Sequence, residues 1–468
     1  MSLYKLRVPN RQDACFGVVN AYTLSDVPIP VGFNPFINKM FDQDIFTYND
    51  GKVDIIHSSA RFMKVIPGVL ALENSQTYGR IKDKFLYKCI PDDKRLPIFL
   101  VPYKIKLGFN KNIKNKYVVF EFRNWIDKHP LGSLTQTLGD VDSLEYFYEY
   151  QLYCKSLYAS IQNINKKTMR KLKEKTEVQY IDMIIKNRDL KDYRETRNIF
   201  SIDPEKSKDF DDAFDIEELS DGKKRISVYI SNVSFWMDAM DLWDSFSNRI
   251  STIYLPDRKR PMLPTVLSDA LCSLTEGDTR FALELQLIVE DYEVVDYKFY
   301  NSVIKLKKNL RYDTKEQENF PDYKELFKTI SIMNKRKKYT DSIDSSHDVV
   351  AYLMILMNYL SAKELIKLKC GVFRSAKFNQ SFVPPEELPK GVKKFLKNWN
   401  SQGGKYSKDV GDHDMLELDA YVHITSPIRR LVDLLNMIIL QDKLGWKMSA
   451  KSKEFYERWT NDSSIEYI

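Results

Sequence analysis

The stretch that most constrains this chain is Ser201–Asp215, SIDPEKSKDFDDAFD, which sets Asp203, Asp209, Asp211 and Asp212 within ten residues. Ile199 and Phe200 precede it, and Ala213-Phe-Asp-Ile follows. Both flanks have strand chemistry, so the four carboxylates fall on a turn between two strands. Carboxylates at that spacing repel one another, and the fold must supply positive charge to hold them. Hard divalent cations meet the need, because Mg²⁺ and Mn²⁺ favour carboxylate oxygens and water. A site of that kind serves in-line displacement at phosphorus. The plainer readings are a solvated acidic loop or a Ca²⁺ loop. An EF-hand is excluded, since it needs a Gly inside the loop and none lies between Asp203 and Asp215.

A basic counterpart lies about 210 residues further on, in YVHITSPIRRLVD (421–433). Ser426 is placed to cap, and Pro427 to open, a helix predicted over 426–445. Backbone N–H groups at such a start favour anions, and an Arg beside them grips a phosphate in two-pronged fashion. Standing alone, Arg429 and Arg430 would read as surface residues of an amphipathic helix. The isolated His423 reads as a packed, hydrogen-bonded histidine rather than a catalyst.

The rest of the chain divides by pattern. The first ~150 residues carry short strand-like runs, namely 53–59, 85–90, 97–107 and 116–125, punctuated by Gly, Pro, Asp and Asn; small barrels follow from that spacing. Residues 143–197 have helical spacing and a basic run, Lys166–Lys175, read as a solvated face. Beyond Ile199 strands and helices mix: 225–236 and 281–295 are predicted strands, and 347–369 a long helix. The five Cys are scattered without a CxxC pair, which argues against zinc and disulfide frameworks. The longest apolar run, 352–360, is short of a membrane span, and no signal peptide is visible. The expectation is a soluble protein of the cytoplasm, with the nucleus as the alternative. A net charge of +7 permits a nucleic-acid partner without demanding one.

Together the two charged segments resemble the catalytic domain of the RNase II/RNase R (RNB) exoribonucleases. The likeness extends through STIYLPDRKRPMLPTVLSDALCSL (251–274), NLRYD (309–313), LMILMN (353–358) and CGVFR (370–374), covering roughly 195–445. In front, VIPGVLALENSQTYGR (65–80), PDDKRLPIFLVPY (91–103) and NWIDKHPLGSLTQTLGD (124–140) resemble the cold-shock OB-folds of the Dis3-like branch. The spacing of Trp125, Pro130, Gly132 and Gly139 carries that likeness. The resemblance implies an α+β multidomain chain, with N-terminal OB-fold β-barrels followed by a mixed α/β RNB catalytic domain. The expected divisions are a partial cold-shock domain at 1–64, a second at 65–142 and a helical connector at 143–194. The RNB domain at 195–445 and a short tail at 446–468 complete the chain.

The implied activity is Mg²⁺-dependent (or Mn²⁺-dependent) 3′→5′ hydrolysis of single-stranded RNA to nucleoside 5′-monophosphates, with no membrane partner. By position, Asp203, Asp209 and Asp212 match the family's metal ligands and Asp211 the aspartate required for cleavage. Tyr254 matches the tyrosine that holds the 3′-terminal nucleotide, and Arg429 the arginine at the scissile phosphate. Arg430 is assigned to RNA binding beside it. The reaction so assembled uses paired metals, a water nucleophile and a cation at the developing charge.

The match has departures. The family's His-Ile-Ala-Asp-Val is Tyr229-Ile-Ser-Asn232-Val here, Ala351 stands where the family has Glu, and Asn436-Met437 replaces His-Arg. Neither an S1 domain nor a PIN domain is expected within these residues. A catalytically weakened RNA-binding or assembly module is therefore the alternative function. The Asn-, Ile-, Lys- and Tyr-rich composition is that of an AT-rich genome, such as a virus-encoded copy would have.

Overall fold

The computed structural model describes residues 2–49, 51–105, 113–379, 381–401 and 403–468. These form two compact units, 1–158 and 159–468, each with its own core. The α+β class and the β-barrel-then-mixed order both hold.

The first unit holds two sheets. Strands Tyr4–Arg7, Gly17–Asn20, Asp26–Val27, Ile45–Asn49 and Lys52–His57 make an open five-stranded antiparallel sheet. Five strands is the number of an OB barrel, in a segment expected to be abbreviated. The second sheet closes on itself, because Ile66–Leu70 pairs with both Lys116–Asn124 and Lys84–Pro91. One parallel pairing, Leu131 opposite Leu100, completes the circuit. Its strands include three of the predicted runs; Lys106 and Leu107, at the end of the 97–107 run, lie outside the described residues. Close approach explains the two glycines of the cold-shock spacing. A Cβ on Gly132 would meet the Phe120 ring at 2.7 Å, and one on Gly139 the Tyr146 ring at 2.0 Å. Tyr146 belongs to helix Leu144–Cys154, whose Tyr150 stacks on Tyr117 at 4.3 Å. The helical stretch 143–194 is thus shared out: this helix belongs to the first unit, and helices Gln162–Glu174 and Glu177–Asn187 to the second.

The second unit is built on a seven-stranded sheet. Its order is Lys191–Asp192, Glu293–Lys305, Thr279–Glu290, Lys224–Ser231, Asp212–Glu218, Phe200–Asp203, Lys308–Arg311. The centre is antiparallel and both edges are parallel. Helix Ser346–Lys367 is long and apolar enough to cross a membrane, but Val349, Leu353, Leu356 and Met357 bury it in this unit's core. The last residues, expected as a tail, form helices Ala450–Trp459 and Asp462–Tyr467, and Phe455 packs 4.7 Å from Trp243.

Three local expectations are corrected. The predicted strand 225–236 ends at Ser231, and Val233–Ala239 is a helix with Phe235 and Trp236 in the core. A short segment in which five consecutive residues, Val233–Met237, are buried has no periodicity to separate helix from strand. The predicted strand 281–295 is two strands around a tight turn at Asp291-Tyr292, both left-handed (φ 50 and 63). The helix predicted from Ser426 starts at Leu431. Residues 426–430 form a turn instead, because Thr252 N–H donates to Arg429 O and Leu431 N–H to Ile250 O, pairing this segment with 250–252.

Candidate active site

Strand Phe200–Asp203 and strand Asp212–Glu218 are antiparallel neighbours with Phe200 opposite Phe214, so the acidic residues cluster at their common end. The loop between them is latched from the segment 272–274. Ser273 Oγ accepts from Phe210 N–H at 3.0 Å and donates to Lys208 O at 2.8 Å, and Leu274 N–H donates to Phe210 O. Ser231 ties the two pieces together by donating its N–H to Asp211 O and its hydroxyl to Cys272 O. The run from Cys272 to Leu274 is therefore the clasp that shapes the acidic loop.

The loop faces a cleft of about 890 Å³. All seven residues singled out from the sequence line it: Asp203, Asp209, Asp211, Asp212, Tyr254, Arg429 and Arg430. Their environments differ. Asp211 is 4% exposed and bridges the halves of the unit: its carboxylate accepts from Ile428 N–H at 3.1 Å and Arg429 Nε at 3.2 Å. Asp209 accepts from Lys259 Nζ at 3.0 Å and the Tyr254 hydroxyl at 3.3 Å. Among the described residues Asp203 and Asp212 form no ion pair, and Arg429 acts on Asp212 only as a weaker opposing charge. Burial first, then the neighbouring Asp211 and Asp209 charges, push Asp203 up to about 7; burial and then Asp203 push Asp212 up to about 8. Asp211 also rises to about 7 through burial, against the pull of Arg429 and the Ile428 N–H.

The anion-binding helix start expected at 426–430 is already filled from within. Ile428 N–H is given to Asp211, and Ser426 N–H to Asp433 at 2.8 Å. Arg430 is held in the same way: its Nη2 lies 2.8 Å from Asp433, which is fully buried. Its Nη1 reaches His423 Nδ1 at 3.5 Å, leaving it a part of the wall more than a free hand for RNA. His423 Nδ1 also lies 2.6 Å from the Tyr406 hydroxyl. Burial, then Arg430 and Arg374, push the ring down to about 2, so it stays neutral. Arg429, by contrast, spends only Nε on Asp211 among the described residues and keeps 42% of its side chain exposed.

The departures from the family pattern are absorbed into the fold. The Tyr229 hydroxyl accepts from Arg197 at 2.6 Å within a buried network with Glu284 and Asp215. Asn232 turns away from the cleft to Asn301 and Gln441. Asn436 closes three hydrogen bonds to the Val372 and His423 backbones. Ala351 lies exposed beside the cleft residue Val350.

Among the cleft residues that the sequence did not single out are Lys259 and Asp269, whose side chains meet at 3.0 Å. Lys259 sits inside a motif quoted for its prolines and leucines, and nothing in the linear order signals that it reaches Asp209.

The donor set suits a hard divalent ion. Asp203 Oδ2 is buried with no hydrogen-bond partner, and burial together with their mutual repulsion disfavours charge on the Asp203/Asp212 pair, a cost that a divalent ion would offset. Among the described residues no three acidic, His or Cys side chains converge into a ready-made ligand shell.

The RNB domain family model matches residues 188–320 and 316–445. Ribonuclease R of Vibrio parahaemolyticus is 25% identical over 484 residues, covering 85% of this chain and 55% of that protein, so the chain spans about half that relative's length. Among solved structures, Mycoplasma genitalium RNase R in complex with ribose-methylated single-stranded RNA superposes with a TM-score of 0.70. It is 16% identical, covering 99% of this chain and 83% of that one. Yeast Ssd1, a pseudonuclease, has a TM-score of 0.57 at 14% identity, covering 100% of this chain and 71% of its own. Since the matched model takes in more than half of the chain, including the acidic loop and the arginine segment that faces it, this chain belongs to the RNB family.

Proposed function

We propose that the chain is a divalent-metal-dependent exoribonuclease that hydrolyses single-stranded RNA from the 3′ end and releases nucleoside 5′-monophosphates. The observation that carries the reading is the pairing across the cleft: Asp211 aims Arg429, and beside them the buried carboxyls of Asp203 and Asp212 form no ion pair among the described residues. Mg²⁺ or Mn²⁺ held by Asp203 and Asp212 supplies Lewis acidity toward a phosphate oxygen. Arg429 presents its free guanidinium edge where negative charge grows on the phosphate under attack as its bond to the 3′-oxygen breaks, and Asp211 holds that edge in place. Tyr254, 58% exposed at the cleft mouth, offers a ring for the terminal base to stack on. Residues 1–64 and 65–142 are read as OB modules suited to single-stranded RNA. On the second barrel Arg80 lies over the half-exposed Phe85 and Lys88 over Tyr78, the basic and aromatic mixture that single strands favour.

The test is a 5′-labelled single-stranded RNA incubated with the protein and Mg²⁺, beside Asp211→Asn and an EDTA control. Shortening from the 3′ end, absent in both controls, is the expected result. Intact RNA that is bound and retarded on a gel would instead assign the chain the role of a pseudonuclease, as Ssd1 is described. A labelled DNA strand tests the choice of sugar, which 2′-hydroxyl contacts would decide.

A further inference from the structure

We propose that the Lys259 ammonium occupies the place of a second cation in the cleft, so that the site takes one divalent ion, at Asp203 and Asp212, rather than a pair. This rests on the metal-dependent reading above and concerns how many ions that site admits.

Both carboxylate oxygens of Asp209 are engaged. Lys259 Nζ is 3.0 Å from Oδ1 and the Tyr254 hydroxyl 3.3 Å from Oδ2. The same ammonium is 3.0 Å from Asp269 Oδ1. The clamp is built into the backbone. Tyr254 and Lys259 face each other on the two-stranded ribbon Ile253–Tyr254/Lys259–Arg260. Asp269 is brought in by Val266–Leu271, a π-helical turn in which Cys272 N–H reaches back to Leu267 O. Such turns are uncommon and concentrate at functional sites. Lys259, Asp209 and Asp269 keep only 24%, 12% and 19% of their side chains exposed, so solvent screens the contacts weakly.

The charges of the cleft then sort themselves. Of its five aspartates, Lys259 serves Asp209 and Asp269, and Arg429 serves Asp211. Asp203 and Asp212 remain without an ion pair among the described residues, and one divalent ion would balance the two once they are deprotonated. A second ion would need Asp209 and would have to expel the ammonium, which repels it. Lysine suits this duty better than arginine, being a compact point charge with three donors rather than a planar fork.

The experiment is a Mn²⁺ titration of the purified full chain, following free Mn²⁺ by electron paramagnetic resonance and bound heat by calorimetry. The wild type should bind one ion tightly. Asp212→Asn should lose it, and Asp209→Asn should keep it. Lys259→Met frees Asp209 and Asp269 and should raise the count from one to two. Two tight ions in the wild type, or a folded Lys259→Met that still takes only one, overturns the inference and leaves the metal-dependent reading standing. No tight ion in the wild type overturns both. Should Lys259→Met fail to fold, the wild-type count and the Asp209→Asn affinity decide the matter alone.

Discussion

Replacing Asp211 by Asn tests the centre of the mechanism with the smallest change of shape. The amide oxygen can still accept from Ile428 N–H, but the amide nitrogen now faces Arg429 Nε, donor against donor. One charge-assisted hydrogen bond is lost, worth about 1.5–3 kcal/mol. Little of this should appear as lost stability. Burial already holds the Asp211 carboxyl up to about 7, so removing its charge relieves a desolvation cost while it removes a partner. The cost should fall on catalysis, because Arg429 is no longer aimed. Loss of one donor at a developing oxyanion typically lowers kcat by about 10²–10³-fold. The assay is single-turnover degradation of a 5′-labelled RNA, with thermal melts of the same samples. Asp211→Asn should lose at least about 100-fold in rate with its melting temperature nearly unchanged. Arg429→Met should lose a comparable factor, and the double variant no more than the worse single, since both act through one contact. Losses that simply multiply, or an Asp211→Asn that cleaves at the wild-type rate, would refute the reasoning.

Other consequences follow from the same geometry. The folded metal-free chain keeps the Asp203 and Asp212 protons to about pH 7 and 8, whereas the unfolded chain releases them near 4, so its stability should fall as pH rises across that window. Mn²⁺ at 100 times its dissociation constant should restore about 2.7 kcal/mol above that window, read as a rise in melting temperature that Asp212→Asn abolishes. His413 accepts from Arg374 at 2.7 Å and is pushed down to about 4 by burial and then by Arg374. The unfolded ring protonates near 6.5, so this contribution is complete above that pH and is lost as pH falls toward 4; His413→Gln should flatten the slope, and an unchanged slope counts against the assignment. Gly139→Ala should destabilise the second barrel by about 1–3 kcal/mol through the Tyr146 ring, and an unaltered melt would mean the ring gives way freely.

Much of the site was legible in the linear chain. Four aspartates on one turn announce a charge problem wherever they occur, and the Tyr254 and Arg429 motifs are contiguous enough to be recognised. The helix 346–367, the body of the helix 431–443 and three strands of the second barrel follow from local periodicity and turn chemistry. What escaped were features set by distant partners. The turn at 426–430 is pulled out of the helix by residues 250–252, and the helix at 233–239 is decided by the burial of Val233–Met237.

By itself the sequence determined which charges had to be compensated and of what chemistry the answer had to be. Only the tertiary structure decided which partner each carboxylate receives. Asp211 finds Arg429 across 218 positions, Asp209 finds Lys259 across 50, and Asp203 and Asp212 find no ion-pair partner among the described residues. The physical reason is that electrostatic strength depends on separation and desolvation, neither of which is written in the order of residues. Sheet register and the pairing of 250–252 with 429–431 bring these groups within hydrogen-bonding reach and shield them from water.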